Sequence, residues 1–202
     1  MTARRRVSDG GRRLRGATRG GRLVLVKLAM SAMLATLATV GGACATGGGT
    51  GARGSGGGQG VGRVAPEIVV DRVSGGDLAL SSLRGKVVLL DVWASWCGSC
   101  KQELPMLDAI AGRLHKRGVE VLAVSVDQER ENVDKFLGSR GKWHLTVAHD
   151  PKGAIADTFQ PEKMPTSYVI DRAGVIRYVN SGFEPSDAQE IERRLADLAA
   201  EK

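Results

Sequence analysis

Apolar and polar positions change rhythm several times along this 202-residue chain, and each change marks an element. Val87-Val88-Leu89-Leu90-Asp91-Val92-Trp93 is apolar almost throughout, the pattern of a strand covered on both faces. From about 97 to 116, Leu104, Leu107, Ile110, Ala111 and Leu114 recur at helical spacing, and Gly118 closes the helix. Residues 119–126 form a second buried strand. Residues 131–137 read as a short helix, 145–148 as a short strand and 154–159 as one or two helical turns. Residues 167–170 and 175–179 are strands joined by Asp171-Arg172-Ala173-Gly174, a turn sequence. Ser186 is the expected N-cap of a last helix with Ile191, Leu195 and Leu198 on one face. Ahead of the first buried strand, residues 68–70 and 78–80 flank Ser74-Gly75-Gly76-Asp77, a hairpin signature. Buried strands alternating with helices predict an α/β domain with a parallel core, and the late hairpin makes its sheet mixed.

None of this rhythm applies to the first 62 residues. The net charge of +7 suggests a nucleic-acid partner, until its distribution is considered. Residues 1–45 hold nine Lys/Arg and one acidic residue, whereas 46–202 hold twenty basic and twenty-one acidic residues. The body is near neutral, so no nucleic acid is expected. Eight arginines precede an apolar run of 13 residues, 28–40, and then Gly41-Gly42-Ala43-Cys44-Ala45. A basic region, a short apolar core and small residues make an export signal over 1–45. Ala43-Cys44-Ala45 fits a small-x-small cleavage site, and Gly42-Ala43-Cys44 resembles the end of a bacterial lipobox in which Cys44 is lipidated. Gly41 departs from that box, which has Leu, Val or Ile there. An uncleaved anchor starting at Leu23 is the third reading, with Lys27 placed to snorkel. The arginine pairs lack the full twin-arginine pattern. Nine glycines in residues 47–60 make 46–62 a flexible tether, reaching about 20–25 Å on average. Its Gly49-Thr50-Gly51-Ala52-Arg53-Gly54 matches a nucleotide-binding fingerprint in letters only, with no strand before it and no helix after. The folded domain is therefore expected over 63–202.

Cys97-Gly98-Ser99-Cys100 stands where the buried strand meets the helix. A helix start offers unpaired N–H groups and a partial positive charge, both of which stabilise a thiolate. The first cysteine of such a motif has a lowered pKa, so Cys97 is the expected nucleophile. Cys100, one turn on, can reach back and resolve a mixed disulfide. The Cys97–Cys100 pair is then its own redox group, and no other cofactor is expected. Half of a zinc site is the bland reading, but there is no second cysteine pair, and His115, His144 and His149 are scattered. Each histidine reads as a surface or loop residue.

The stretch Asp91-Val92-Trp93-Ala94-Ser95-Trp96-Cys97-Gly98-Ser99-Cys100-Lys101 resembles the active-site segment of thioredoxins. Further marks resemble the exported TlpA/ResA-like branch. They are Ala65-Pro66, Leu83-Arg84-Gly85-Lys86, Glu103-Leu104-Pro105, Val124-Ser125-Val126-Asp127, Met164-Pro165-Thr166, and Ile170-Asp171 with Gly174. The resemblance implies a thioredoxin-like fold with an N-terminal hairpin extension. It implies thiol–disulfide exchange, with electrons from a membrane thiol donor and disulfide-containing or dithiol client proteins as partners. Apocytochrome c with C-x-x-C-H is one such client. It also implies a cis-proline loop at Met164-Pro165, with Thr166, Trp96, Gly98 and Ser99 completing the client-binding surface. Trp96 would shield one side of the sulfurs, and Trp93 would lie in the core. Pro105 lacks the N–H that would bond the Lys101 carbonyl, so it is expected to kink the helix. Asp91 and Glu103 are the candidate proton acceptors for Cys100. Gly98-Ser99 lacks the proline common before the second cysteine of this family. An exported, extracytoplasmic (periplasmic) monomer is expected, tethered to the membrane by lipidated Cys44 or by an uncleaved N-terminal segment.

Two other functions would also call on a cysteine at this position. A copper-site assembly factor of the same fold would use both cysteines and a distant histidine, for which His149 is the candidate, but such proteins have C-x-x-x-C. A thiol peroxidase needs P-x-x-x-[TS]-x-x-C, and Leu90 stands where Pro would be, seven residues before Cys97.

Overall fold

The computed structural model describes residues 60–201. The export segment 1–45 with Cys44, and tether residues 46–59, lie outside the described residues. In chain order the elements are β1 (Val69–Arg72), β2 (Asp77–Ala79), a 3-10 turn (Leu80–Leu83), β3 (Val87–Trp93) and α1 (Gly98–Leu114). A second 3-10 turn (His115–Arg117), β4 (Val119–Ser125), α2 (Arg130–Gly138), β5 (Thr146–His149) and α3 (Ala154–Phe159) follow. β6 (Thr166–Ile170), β7 (Ile176–Ser181) and α4 (Asp187–Ala200) complete the chain.

All seven residues of β3 are buried, as its unbroken apolar run requires. It pairs parallel with β4 and antiparallel with β6. The seven-stranded sheet has the order β2-β1-β5-β4-β3-β6-β7. β3, β4 and β5 are the parallel core. The β1–β2 hairpin pairs antiparallel with the outer side of β5, and β7 pairs antiparallel with β6. The mixed sheet and the N-terminal hairpin extension are those expected from the sequence.

The strand period of two divides the core between two layers. Val87, Leu89 and Trp93 of β3 join Val119, Val121 and Ala123 of β4 beneath α1, α2 and α4. Val88, Leu90 and Val92 face the other way, against Ile155 and Phe159 of α3 and Leu80 and Leu83 of the first 3-10 turn. Asp91 has the parity of Leu89 and Trp93, so the one polar residue of β3 points into the α1 layer.

Gly118 ends the α1 region in the left-handed conformation, φ 80°, after the short 3-10 turn. Gly174, at φ 84°, also answers a spatial need. A Cβ there would lie 2.1 Å from the Arg84 guanidinium carbon. α1 continues through Pro105 from Gly98 to Leu114.

Two expectations need correction. Ser186 precedes α4 but is itself helical (φ −65°, ψ −24°), and its side chain caps nothing. A capping hydroxyl needs an extended backbone to reach the next amides. Here the Asp187 carboxylate accepts the Glu184 N–H instead, at 2.8 Å. The packed body also starts earlier than residue 63. Gly62 N–H donates to the Ile176 carbonyl at 2.8 Å, and Val64 bridges Val175.

Leu107 is fully buried in the α1 layer. Leu107→Ala is expected to destabilise the domain by about 2–5 kcal/mol. The measurement is urea unfolding, with a lower midpoint at an unchanged slope.

Candidate active site

The site forms where β3 ends. In open α/β sheets the strands' carboxyl ends are where loops converge on ligands. The chain leaves Trp93, whose ring is buried against Phe136 with centroids 5.3 Å apart, and turns through residues 94–96 into α1. That turn is held by buried Asp127. Its carboxylate accepts the Ser95 N–H at 2.8 Å, the Ser95 hydroxyl at 2.7 Å and the Ser125 hydroxyl at 2.7 Å. The Asp127 carbonyl lies 2.7 Å from His149 Nε2. The loop before the cysteines is thus fixed to the ends of β4 and β5.

Cys97 is the N-cap residue of the 17-residue α1, in extended conformation (φ −84°, ψ 116°). Its sulfur accepts the Cys100 N–H at 3.2 Å, and the Ser99 hydroxyl lies 3.5 Å away. A sulfur at this position receives the helix-terminal N–H and the positive end of the helix dipole. Cys97 and Cys100 are joined as a disulfide, with Cα atoms 5.3 Å apart. Cys97 is half-buried and Cys100 fully buried. Gly98 is exposed, and Trp96 beside Cys97 is 67% exposed.

The Met164–Pro165 peptide is cis. Thr166 opposes Val92 at the end of β3, which brings the proline to the same edge of the sheet as the cysteine loop. The Pro165 carbonyl accepts the Gly182 N–H at 2.7 Å, and the Thr166 hydroxyl donates to the Lys163 carbonyl. Met164 and Cys97 both pack on the core layer that contains Cys100.

Asp91 and Glu103 come together inside that layer. Both are buried, and both approach the Ser167 hydroxyl, at 3.0 Å from Asp91 Oδ1 and 3.2 Å from Glu103 Oε1. Asp91 Oδ2 and Glu103 Oε2 are buried without a hydrogen-bond partner, as is Trp93 Nε1. Burial pushes the Asp91 carboxyl well up from its usual range, against a smaller opposing effect of the Ser167 hydrogen bond. Burial, and then the neighbouring Asp91 charge, push Glu103 up as well. A carboxyl that keeps its proton near neutrality can take and return one during chemistry.

His149 departs from the surface or loop position expected of it. It ends β5 and is buried, with its ring at the Asp127 carbonyl. His144 is exposed and sits 3.2 Å from Asp108 Oδ2. Among the described residues no three His, Cys, Asp or Glu side chains gather at metal-binding spacing.

Sequence reasoning gave Ser167 no role and treated Asp127 only as a mark of resemblance. The available signal for Ser167 was a small polar residue in an otherwise apolar strand, with the same parity as Val169. Nothing local pairs it with Asp91, 76 residues earlier.

Raised carboxyl pKa values bear on stability. Between the unfolded values, 3.8 and 4.5, and the higher folded ones, the native state binds more protons than the unfolded chain. Stability must therefore fall as pH rises through that window. Asp91→Asn and Glu103→Gln are each expected to flatten this fall and to stabilise the protein at pH 8 by more than about 1 kcal/mol. Thermal unfolding at pH 5 and pH 8 measures it, and an unchanged pH slope would contradict the burial effect.

The AhpC/TSA family pattern matches residues 61–179, a span that contains both cysteines. The thiol-disulfide oxidoreductase ResA of Oceanobacillus iheyensis is 34% identical over 148 residues, covering 70% of this chain and 74% of that protein. ResA of Geobacillus kaustophilus is 30% identical over 138 residues, covering 68% and 78%. A crystal structure of a candidate thiol:disulfide interchange protein DsbE from Chlorobium tepidum superposes with a TM-score of 0.66 at 34% identity. It covers 69% of this chain and 98% of that one. With its thioredoxin-like sheet and a cysteine pair at the start of α1, the chain belongs to the AhpC/TSA family and is a thiol-disulfide oxidoreductase of the ResA type.

Proposed function

We propose that the protein reduces disulfides in client proteins outside the cytoplasm, held at the membrane by lipidated Cys44 or by its N-terminal segment. The observation that carries this reading is the asymmetry of the pair. Cys97 is half-buried at the helix start, and Cys100 is fully buried, one turn from a buried carboxyl. The near-neutral body supports a tether in the N-terminal segment. Among the described residues no helix is long and apolar enough to cross a membrane.

In the dithiol form the Cys97 thiolate attacks a client sulfur, the client S–S bond breaks, and a mixed disulfide forms. Cys100 then gives its proton to the Asp91/Glu103 pair. Its thiolate attacks Cys97 sulfur, the Cys97–Cys100 bond forms, and the client leaves as a dithiol with the two electrons. A membrane thiol donor re-reduces the pair by the reverse exchange. The helix N-terminus and the Ser99 hydroxyl stabilise the Cys97 thiolate. Exposed Trp96, Gly98 and the backbone at Met164-Pro165-Thr166 form the client surface, where an extended client segment pairs with the Met164 backbone. Clients include apocytochromes c with C-x-x-C-H. The protein works as a monomer, without nucleic acid and with no cofactor beyond its cysteines. The copper-assembly reading gains no support, since among the described residues no three His, Cys, Asp or Glu side chains gather at metal-binding spacing.

Alkylation of the reduced protein should modify Cys97 before Cys100. Cys100→Ser in the full chain should hold clients as mixed disulfides on Cys97, recoverable from the extracytoplasmic fraction and released by dithiothreitol. Equal reactivity of the two cysteines, or capture confined to cytoplasmic proteins, would overturn the assignment.

Asp91→Asn or Glu103→Gln should slow single-turnover resolution near neutral pH by about 10-fold or more, the low end for general base catalysis. The first attack by Cys97 should suffer less. Stopped-flow reduction of a disulfide peptide between pH 5 and 9 separates the steps. A double variant that resolves at the wild-type rate across that range would remove both acids from the mechanism.

A further inference from the structure

Asp91 and Ser167 stand opposite each other in the register of β3 and β6, and Glu103 reaches the same hydroxyl from α1. A serine hydroxyl has one proton to donate. It cannot donate to two carboxylates at once. If both acids were ionised, one would lose its only donor, while Asp91 Oδ2 and Glu103 Oε2 are already buried without partners. With one carboxyl protonated the hydrogen bonding closes. The carboxyl O–H donates to Ser167 Oγ, and the Ser167 O–H donates to the remaining carboxylate.

We propose that Ser167 is the positioning residue that joins Asp91 and Glu103 into a single proton-holding unit, its hydroxyl accepting from the protonated carboxyl and donating to the ionised one. The unit at rest then carries one proton. When Cys100 resolves a mixed disulfide, its S–H bond breaks and a second carboxyl O–H forms. The Cys100 thiolate bonds to Cys97 sulfur, and the client thiolate departs. Proton return to that leaving sulfur restores the one-proton state. Ser167 touches no reacting sulfur in this scheme and acts through the acids.

The other groups facing the unit are few. Cys100 lies one turn from Glu103 on α1, and Asp187, at the start of α4, adds its charge to that of Asp91 in raising Glu103. β4 offers Ala123 opposite Asp91, and β7 offers Asn180 opposite Ser167. No cation is among these neighbours, and the Ser167 hydroxyl is the donor that lies within hydrogen-bond distance of both acids.

The one-proton state makes two hydrogen bonds through Ser167, one of them to a carboxylate; the empty state keeps one, and the doubly protonated state makes two but none to a charge. Losing the hydroxyl must therefore destabilise the middle state most. The first proton loss then needs a higher pH and the second a lower one. A packing defect alone would move both in the same direction.

The test is a pH titration of the full chain in its disulfide form, labelled with 13C at the Asp and Glu carboxyls and followed by NMR. Neither cysteine titrates in that form. The scheme rests on the oxidoreductase reading, but this measurement needs no turnover, so its failure would leave client trapping by Cys97 intact, and the reverse holds too. In the unaltered protein each of the two carboxyl carbons should shift at both titration steps. In Ser167→Ala the two steps should draw together by about one pH unit, and Ser167→Thr, which keeps a hydroxyl, should restore the separation. The proposal is overturned if each carbon of the unaltered protein shifts in one step of its own. It is also overturned if Ala leaves the separation unchanged or moves both steps the same way, or if Thr fails to restore it. Should Ser167→Ala not fold, the unaltered protein's titration decides alone.

Discussion

Two carboxyl groups buried side by side oppose folding, and the Ser167 hydroxyl they share is what makes them tolerable. A lone buried carboxylate loses its hydration, and proteins answer by pairing it or keeping it protonated. Here both answers operate together, because Asp91 and Glu103 converge on the Ser167 hydroxyl inside a layer of Leu, Ile and Val. The apolar contacts on both faces of β3 hold the arrangement. The dryness that those contacts create is also what raises the two acids. Apolar packing and buried charge therefore pull against each other at the same residues.

A second constraint acts on the other side of the cysteine pair. The sulfurs must meet a client in one orientation while the loop before them has no regular backbone pairing. Asp127 supplies the missing restraint by gathering Ser95 and Ser125, while its carbonyl meets His149. The strand ends, the loop and the helix start become one unit. Cys97 can then stay half-buried, at the surface, without being loose. The cis Met164–Pro165 bond lies at the same edge of the sheet.

How far the sequence reveals this depends on the range of the interaction. Element types follow from local periodicity. The run through β3, the helical stripe of α1 and the turn at Asp171–Gly174 needed no tertiary knowledge. The role of the cysteine pair is local too, because it rests on a strand-to-helix junction and a four-residue spacing. Asp91 was legible as an acid in an apolar strand, and Glu103 by resemblance to a glutamate one turn beyond the second cysteine. Their common partner was not, because Ser167 becomes their neighbour only through the β3–β6 register. Asp127 was hidden for a similar reason, since an acid after a strand reads as an ordinary loop residue until Ser95 is brought to it. Ser186 shows the opposite failure. The residue type suited a cap, but the local backbone was already helical.

Gly98 has an exposed backbone with open space around it; a Cβ built there meets no atom within 4 Å. The position between the two cysteines is thus free of the packing that fixes almost everything behind it. Side chains of any size can be exchanged at this point without rebuilding the core, while their charge and bulk act directly on the adjoining sulfurs. The domain separates the residues that hold its fold from a position that can change the surroundings of its cysteine pair. Natural variants could retune electron transfer by a single exposed residue and leave the scaffold untouched.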